Sequence, residues 1–322
     1  MVELKVSADF AGVRLDKFLR AKLDRVPASH LFKMIRVKKI KVNGKRAQPD
    51  QPLVLGDLVT VRGEEQKLLG PATEKPPVAI DLSQLKVVFE DEYVLVIDKP
   101  SGLAAHPGSG ITGATVVELT RAYLGPKGVK NEFAASPAHR LDRETSGLLV
   151  VAKRRPAMVH FTDVFTRHLA RKKYLALVKG RMPEARGVID LPLAEHQQTR
   201  ESRERRGVNL QDALTRWKVL LQTDEVALVE CAIETGRTHQ IRRHFAAIGH
   251  PVVGDGKHGD FHFNREAKAR FGLKRLFLHA GFLDFPHPID KRRVVLESPL
   301  PPELTQALTA AGLNVEPVPG SW

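Results

Sequence analysis

Asp142 stands between two arginines, directly before an apolar run. Residues 138–153 read AHRLDRETSGLLVVAK, so that Arg140 and Arg143 flank the carboxylate and an apolar run follows at 148–151. An ionised carboxylate in a partly buried site needs opposite charge or hydrogen bonds to offset its lost hydration. With such a partner the acid stays ionised, which is the form that acts as a nucleophile. A structural ion pair with either neighbour or with a distant base explains the same pattern.

The segment ETGRTHQIRRH (234–244) supplies bases that could reach Asp142 from far along the chain. It contains Arg237, Arg242 and Arg243 on a turn and a helix start that follow an apolar strand. Arg242 lies between two residues of the apolar helix face, so we expect it to border the buried side and to reach inward. The sequence leaves open which arginine pairs with the carboxylate.

Tyr174 is one of only three tyrosines and leads the apolar stretch KKYLALVKG at 172–180. Its ring offers a face on which a nucleobase could stack, an interaction worth about 1–3 kcal/mol. The alternative is an aromatic residue at the boundary of the core with its hydroxyl in water. The position after two lysines fits both interpretations.

The composition indicates a polyanion-binding protein. The chain has 322 residues, a formal net charge of +14 and a pI of about 9.9, and 42% of its residues are hydrophobic. Such a charge attracts nucleic acid; a membrane surface is the weaker alternative because no amphipathic anchor accompanies it. Cys231 is the only cysteine, and neither a signal peptide nor an apolar run of about 20 residues is present, so we expect a cytoplasmic protein.

Residues 14–61 predict a small domain of two helices and a hairpin. Apolar residues at helical spacing predict the first helix, and Ser29 is the predicted cap of the second. The Asn43-Gly44 pair predicts a tight hairpin, and residues 53–61 complete a small sheet. The apolar face of the first helix is predicted to consist of Leu15, Phe18, Leu19 and Leu23.

Residues 14–46 hold twelve Lys or Arg against two acids. Each lysine taken alone is explained by a solvated surface. Together, like charges on a small domain repel one another unless an anion neutralises them, so the cluster favours a nucleic-acid partner.

The remainder alternates strands and helices without an internal repeat, which predicts an α+β fold with a large mixed, mostly antiparallel sheet flanked by helices and loops. Strands are predicted in 85–100, 172–180 and 226–236. Residues 194–212 are polar and predict a loop or an exposed hairpin, and 108–113 is a glycine-rich loop without P-loop spacing. A helix is predicted over 238–249, with Ile241, Phe245 and Ile248 inward and Gly249 as its stop.

Two resemblances cover most of the chain. Residues 14–61 resemble an S4 domain, a small α/β RNA-binding module. The stretches HRLDRETSGLLVVAK, KKYLALVKG and GRTHQIRRHFAAIGHPVVGD resemble the three motifs of the A/C/D (RluA-like) family of large-subunit rRNA pseudouridine synthases, and VLVIDKPSGLAAHPG and LFLHA match further family stretches. The spacing in VPASHLFKMIRVKKIKVNGKRAQPD is most similar to C-type members. The implied boundaries are an S4-like domain at 1–66, a linker at 67–84 and a catalytic domain with the pseudouridine synthase fold at 85–322.

The resemblance implies roles for individual residues. Asp142 would be the catalytic aspartate, Arg242 would hold it as a salt-bridged carboxylate, and Tyr174 would stack on the flipped uracil. Arg140 would fill the gap that the uridine leaves. The predicted RNA-binding residues are Arg20, Lys33, Arg36, Lys38, Lys39, His139 and Arg237.

The implied reaction breaks the C1′–N1 bond of a uridine and forms a C1′–C5 bond, so no redox cofactor or ATP is required. The expected partner is RNA, most of all 23S rRNA, free or in an assembling ribosomal particle. The expected state is a monomer with no obligatory protein partner. The alternative of a different class is a non-catalytic rRNA-binding assembly factor, which the S4-like domain alone would also support.

Two other chemistries fit parts of the sequence less well. A glycosidase would use Asp142 and Glu144 as paired carboxylates about 5–5.5 Å apart. A metal site could use histidines, but no Cys-x-x-Cys or His-Glu-x-x-His pattern accompanies them, so we predict none. The histidine pairs in question are His258 with His262 and His239 with His244.

Overall fold

The computed structural model describes residues 1–23, 26–63, 80–107, 111, 113–125, 129–130, 133–194 and 210–314. The chain divides into two compact units, Met1–Ala79 with Val129–Phe133, and Ile80–Gly128 with Ala134–Trp322. We call the first the N-terminal unit, and the second, which contains most of the catalytic domain expected from the resemblance, the catalytic unit. The predicted boundary at 66/67 and most of the predicted linker fall among residues 64–79, outside the described residues.

The N-terminal unit packs two helices on an antiparallel four-stranded sheet with the strand order β1-β4-β2-β3. All four residues of the predicted face of the first helix are fully buried, which confirms that face. They form one core with apolar residues of the second helix and of the sheet. The elements are β1 (Val2–Lys5), α1 (Leu15–Lys22), α2 (Ala28–Arg36), β2 (Ile40–Val42), β3 (Lys45–Arg46) and β4 (Leu58–Val61).

The local predictions in this unit have mixed outcomes. Asn43 and Gly44 both have positive φ, 50° and 74°, as a two-residue hairpin turn requires, so the predicted hairpin is confirmed. The prediction that Ser29 caps the second helix is wrong, because α2 already begins at Ala28 with Pro27 as its N-cap. The fixed φ of proline suits a helix start, and Ser29 therefore lies inside the first turn. The predicted strand at 53–61 is shorter and comprises only β4.

The catalytic unit is built on one sheet, in which ten described strands are joined. Eight follow the order β12-β15-β16-β11-β17-β10-β6-β5, β18 pairs with β17, and β9 pairs with β10. Every pairing is antiparallel except that of β10 with β17. The predicted α+β fold with a large, mostly antiparallel sheet is thus confirmed. The strands are β5 (Lys86–Glu90), β6 (Val94–Lys99), β9 (Ser136–Pro137), β10 (Ser146–Ala152), β11 (Arg171–Lys179), β12 (Arg186–Asp190), β15 (Leu214–Gln222), β16 (Val226–Ile233), β17 (Leu278–Pro286) and β18 (Arg293–Glu297).

The sheet is covered by apolar clusters that include residues from the helices of this unit. No helix of the described residues is both long enough and apolar enough to cross a membrane. The helices are α3 (Val116–Leu124), α4 (Arg155–Thr166), α5 (Gln240–Ala247), α6 (Phe261–Phe271) and α7 (Pro302–Ala310). Two short pairs complete the elements, β7 (Val129–Lys130) with β8 (Phe133–Ala134) and β13 (Leu193–Ala194) with β14 (Leu210–Gln211).

A close approach of two backbones fixes the start of β10. Gly147 has a φ of 114°, and a Cβ atom there would lie 2.3 Å from the carbonyl oxygen of Ala280 on β17. Only glycine allows the two strands to pair in this register, Ser146 with His279 and Gly147 with Ala280. The register in turn fixes the loop directly before β10.

The prediction for α5 is right for its core face and wrong at its end. Ile241 and Phe245 are buried, and Gly249 follows the helix with a φ of 83°. Ile248 is the C-cap residue and its side chain is 37% exposed, so the prediction that it faces inward is wrong. The helix ends at Ala247. Ile248 therefore no longer follows the helical spacing that would direct its side chain toward the core.

Two segments singled out in the sequence are described only in part. Of the polar stretch 194–212, the ends pair as β13 and β14, which fits an exposed hairpin, while 195–209 lie outside the described residues. Of the glycine-rich stretch 108–113, the structure describes only 111 and 113.

Candidate active site

Asp142 lies in the loop that leads into β10. The N–H of Thr145 donates to the carbonyl oxygen of Asp142 at 3.1 Å, which closes a turn. The carboxylate is only 14% exposed. Arg143 directs its Nε to the carbonyl oxygen of Gly102, and the side chain of Arg140 is exposed. The turn and the buried strand that follows it hold the carboxylate at a fixed place.

Arg242 reaches Asp142 from α5. Its Nη1 donates to Oδ2 of Asp142 at 3.3 Å and lies 3.7 Å from Oε2 of Glu144, and its side chain is 4% exposed. The inward direction expected from the helix pattern is therefore present. Burial opposes the charged guanidinium, but the hydrogen bonds and charge of Asp255, followed by the charge of Asp142, outweigh it and raise the pKa of Arg242.

Asp255, on the loop after α5, is the residue that sequence reasoning missed. It is fully buried, and both of its oxygens receive hydrogen bonds from Arg242 at 2.7 Å. The N–H groups of Lys257 and His258 also donate to Oδ1. Burial would raise the pKa of Asp255, yet these bonds lower it. The only sequence signal was the end of the stretch HPVVGD, an acid that follows an apolar pair and a glycine.

Lys99, at the end of β6, supports the Asp142 loop through hydrogen bonds to backbone carbonyl oxygens. Its side chain is fully buried, and Nζ donates to the carbonyl oxygens of Pro100, Leu103 and Arg143 at 2.9, 2.9 and 3.1 Å. Burial lowers the pKa of Lys99 to about 7, and the charge of Asp142 opposes that effect. The stretch DKPSGL thus helps to hold the Asp142 loop in place, a role that its composition does not indicate.

Tyr174 points into the same region from β11. Against β17 the register shifts between Lys173 and Leu175, so that Tyr174 sits at a β-bulge, a feature that re-aims side chains near functional sites. The side chain is 6% exposed. Burial first, and the charge of Asp142 second, raise the pKa of the hydroxyl. The alternative of a boundary hydroxyl in open water does not fit this burial.

A cavity of about 260 Å³ is lined by Asp142, Tyr174 and Arg242 together. This is slightly below the roughly 300–1,000 Å³ typical of sites for drug-sized molecules, and it suits a small planar group. Burial lowers the pKa of Lys172 to about 8, and burial together with the charge of Lys172 lowers the pKa of His139 to about 3. The charged and aromatic lining comprises His139, Arg140, Asp142, Phe165, Lys172, Tyr174, Glu234, Arg237, His239 and Arg242.

A second, larger cavity of about 680 Å³ adjoins the first and shares Asp142 with it. Arg140 and Arg242 also border both cavities, while Arg143 and Lys257 line only the larger one. Asp142 therefore borders both a small cavity and a wide basic one. The small cavity can receive a base, and the wide one can receive sugar-phosphate.

His239 faces the second oxygen of Asp142. Its Nε2 lies 4.0 Å from Oδ1 of Asp142, and its Nδ1 shares a hydrogen bond of 2.8 Å with Nε2 of His258. His239 is the N-cap of α5 and has a φ of 54°, an uncommon value for a residue other than glycine. Burial lowers the pKa of both rings, and the charge of Asp142 opposes this effect for His239.

The remaining predicted RNA-binding residues are exposed or half-buried. Arg237 is half-buried and donates from Nε to the carbonyl oxygen of Asp212. The ring of His139 accepts a hydrogen bond from the N–H of Val150, so it lines the cavity from a fixed position. Exposed side chains in the N-terminal unit are those of Arg20, Lys33, Arg36, Lys38 and Lys39.

The histidines considered for a metal have other partners. His244 is buried between Thr215 and Leu191, and His262 is paired with Glu266 at 3.0 Å. Within the described part of the chain, no group of three or more His, Cys, Asp or Glu side chains is arranged to hold a metal ion.

The chain is similar to known proteins over almost its whole length. Residues 93–247 match the family model described as RNA pseudouridylate synthase, and residues 13–59 match the S4 domain. Ribosomal large subunit pseudouridine synthase C of Vibrio cholerae is 37% identical over 311 residues, 95% of each chain. The protein of the same name from Escherichia coli K12 is 37% identical over 310 residues, 94% of each chain. This chain belongs to the A/C/D (RluA-like) family of RNA pseudouridine synthases.

The family that the motifs resembled is thereby confirmed, and so is the closer similarity to its C-type members. As a pseudouridine synthase the chain is an isomerase that acts on RNA. Solved structures agree: human RNA pseudouridylate synthase domain containing 4 is 26% identical with a TM-score of 0.58, covering 71% of this chain and 94% of that one. Human RNA pseudouridylate synthase domain containing 1 is 29% identical with a TM-score of 0.56, covering 71% and 89%.

Proposed function

We propose that this synthase converts specific uridines of 23S rRNA to pseudouridine, with Asp142 as the catalytic residue. The observation that carries the proposal is the nearly buried contact of Asp142 with Arg242, two residues that line both cavities. The names of the relatives, ribosomal large subunit pseudouridine synthase C, support the choice of large-subunit rRNA as substrate.

The target base must leave its helix before the reaction, because neither C1′ nor C5 can be reached within a stack. Extrusion costs a few kcal/mol. Tyr174 would receive the uracil in the small cavity, and Arg140, exposed at the rim of both cavities, would fill the vacancy. Stacking on Tyr174 offsets about 1–3 kcal/mol of this cost.

The chemistry then needs one carboxylate. Asp142 attacks C1′, attacks C6, or removes the 2′ proton, and in each case the C1′–N1 bond breaks and the base turns. C5 then forms the new bond to C1′, and the bond of Asp142 to C1′ or C6 breaks, or the 2′ proton is returned. C5 loses its proton and N1 gains one, so the product is an isomer of the substrate and Asp142 is free again. Because atoms and electrons balance in this way, the reaction requires neither a redox cofactor nor ATP. Burial and the charge of Asp142 raise the pKa of the Tyr174 hydroxyl, which favours its neutral form.

The N-terminal unit would supply affinity rather than chemistry. Its exposed lysines and arginines are suited to phosphates, whose contacts position an RNA without reading its sequence. We assign the enzyme to the cytoplasm, where rRNA is made and assembled in a bacterial cell, and to a monomer without an obligatory protein partner.

Loss of the label from uridine tritiated at C5 tests the proposal, because forming the C1′–C5 bond releases that hydrogen to water. We expect tritium release from 23S rRNA that was made without the enzyme, and pseudouridine at the same positions when cellular RNA is mapped with and without the protein. Absence of tritium release together with an unchanged pseudouridine map would contradict the function and favour the assembly-factor alternative. Free uracil in the first experiment would instead indicate hydrolysis.

A further inference from the structure

Arg242 makes its two best contacts with Asp255 and not with Asp142. Nε and Nη2 each lie 2.7 Å from an oxygen of Asp255, whereas Nη1 lies 3.3 Å from Asp142 and 3.7 Å from Glu144. Two short, parallel hydrogen bonds are the strongest arrangement between a guanidinium and a carboxylate. Asp255 therefore sets the orientation of Arg242. It also makes the larger part of the electrostatic interaction of this guanidinium.

Asp255 is itself held in place by hydrogen bonds and close packing. Its Oδ1 accepts from the N–H groups of Lys257 and His258 at 2.8 and 3.0 Å, and its carbonyl oxygen accepts from Nδ2 of Asn264 at 2.9 Å. A Cβ atom on Gly259 would lie 2.4 Å from that carbonyl oxygen, so the loop packs without spare room. Asp255 thus has a fixed place from which to hold Arg242.

We propose that Asp255 is a positioning residue that holds Arg242 and engages most of its charge, so that Asp142 keeps a negative charge toward the cavity. Two carboxylates and one guanidinium sum to one net negative charge. An aspartate neutralised by an arginine of its own would be a weaker nucleophile and a weaker base. The inference rests on the proposed function, since it concerns the reactivity that Asp142 needs there.

Other charged or titratable groups face Asp142 from neighbouring elements. Lys99 approaches from the end of β6, Tyr174 from β11, and His239 from the start of α5. Glu144 lies on the same loop as Asp142 and contacts the same guanidinium, that of Arg242. These groups remain in place when Asp255 alone is changed, so the difference between the variant and the parent isolates the contribution of Asp255.

Asp255→Asn is the decisive variant, because it keeps the size of the side chain and an acceptor for the two N–H groups. Arg242 then has Asp142 as its nearest anion and stabilises the ionised form more strongly. In single-turnover assays we expect a plateau rate at least about tenfold lower, and the acidic side of the pH–rate profile shifted by about half a unit or more to lower pH. A purely structural role would lower the rate by one factor at every pH.

Glu144→Gln provides the same test in a side chain that is 50% exposed. Removing this more distant carboxylate should shift the profile in the same direction by a smaller amount. The matched control Glu266→Gln, whose carboxylate is 44% exposed on α6, should leave the profile unchanged. Unshifted pH–rate profiles in both Asp255→Asn and Glu144→Gln overturn the inference. If Asp255→Asn does not fold, an unshifted profile of Glu144→Gln alone overturns it.

A crystal structure of Asp255→Asn without RNA separates this inference from the proposed function. We expect Arg242 to move onto Asp142 with at least one N–O distance below about 3 Å. An Arg242 that keeps its present position overturns the inference even if the parent is active. An inactive parent would overturn the proposed function, and the position of Arg242 would still decide the inference.

Discussion

Asp142 and Arg242 are 100 positions apart in the chain, and their side chains meet at 3.3 Å in a nearly buried contact. The two arginines next to Asp142 in the sequence do not occupy this position. One of them, Arg143, is directed to the carbonyl oxygen of Gly102. The contact exists because the loop before β10 and the start of α5 are brought together by the central strands of the sheet.

Replacing Asp142 by Asn should abolish pseudouridine formation and leave RNA affinity within about tenfold, since the carboxylate supplies chemistry and makes no phosphate contact. Tritium release and a filter-binding isotherm measure the two effects. Asp224→Asn is the control, because its carboxylate is 93% exposed. Full activity of Asp142→Asn would remove this residue from its proposed role.

Substitutions of Tyr174 should separate its ring from its hydroxyl. Tyr174→Leu removes the stacking face, and we expect a loss of about 10- to 100-fold in the rate. Tyr174→Phe keeps the face and should be clearly less damaging, because the raised pKa keeps the hydroxyl from ionising in the parent. Single-turnover rates at saturating enzyme measure the difference. Equal damage from both substitutions would show that the hydroxyl takes part directly.

Arg140→Ala should matter most where a base has to leave a helix. We expect about a tenfold slower reaction on a helical 23S rRNA fragment and less than about a threefold effect on an unstructured oligonucleotide, which has no stack to refill. Arg121→Ala, an exposed arginine on α3, is the matched loss of charge. Equal slowing on both RNAs would argue against gap filling and for a general phosphate contact.

Deletion of residues 1–66 should leave a folded catalytic unit that binds rRNA more weakly and with less dependence on salt. Each lost phosphate contact flattens the plot of log K against log salt by about 0.7–0.9, so we expect a slope at least about 2 units shallower. Circular dichroism verifies folding, and binding at several salt concentrations gives the slope. An unchanged slope would show that the basic N-terminal segment does not contact RNA.

His139 should make the catalytic unit less stable in acid. Burial lowers the pKa of His139 to about 3, and its Nε2 accepts a hydrogen bond from Val150 that protonation would break. Below pH about 6.5 the unfolded chain takes up this proton and the folded chain does not, so the free energy of unfolding falls as the pH falls toward 3.

His139→Asn removes this proton uptake from the unfolded chain. We expect the stability difference between the parent and this variant to shrink by about 1–2 kcal/mol from pH 7.5 to pH 5, measured by urea unfolding followed by tryptophan fluorescence. His262→Asn, a change at an exposed ring, should keep the pH dependence of the parent. A constant difference between the parent and His139→Asn across this range would contradict the assignment.

Several elements were predictable because they depend on local spacing. The buried face of α1 follows from the periodicity of Leu15, Phe18 and Leu19, and the first hairpin follows from the backbone preference of Asn43-Gly44. The errors at Ser29 and Ile248 are also local. Both stand at helix ends, where a cap one residue away changes the environment of a side chain.

The sequence by itself determined the fold class, the basic character and the motifs that mark the family, because periodicity, charge and local residue order are properties of the chain. Only the tertiary structure decided which guanidinium meets Asp142, that Asp255 holds that guanidinium by two short bonds, and that Lys99 braces the loop through three carbonyl oxygens. Such contacts join distant segments and depend on distance and direction in space. Strand register and helix placement set these quantities, and the order of residues along the chain does not contain them.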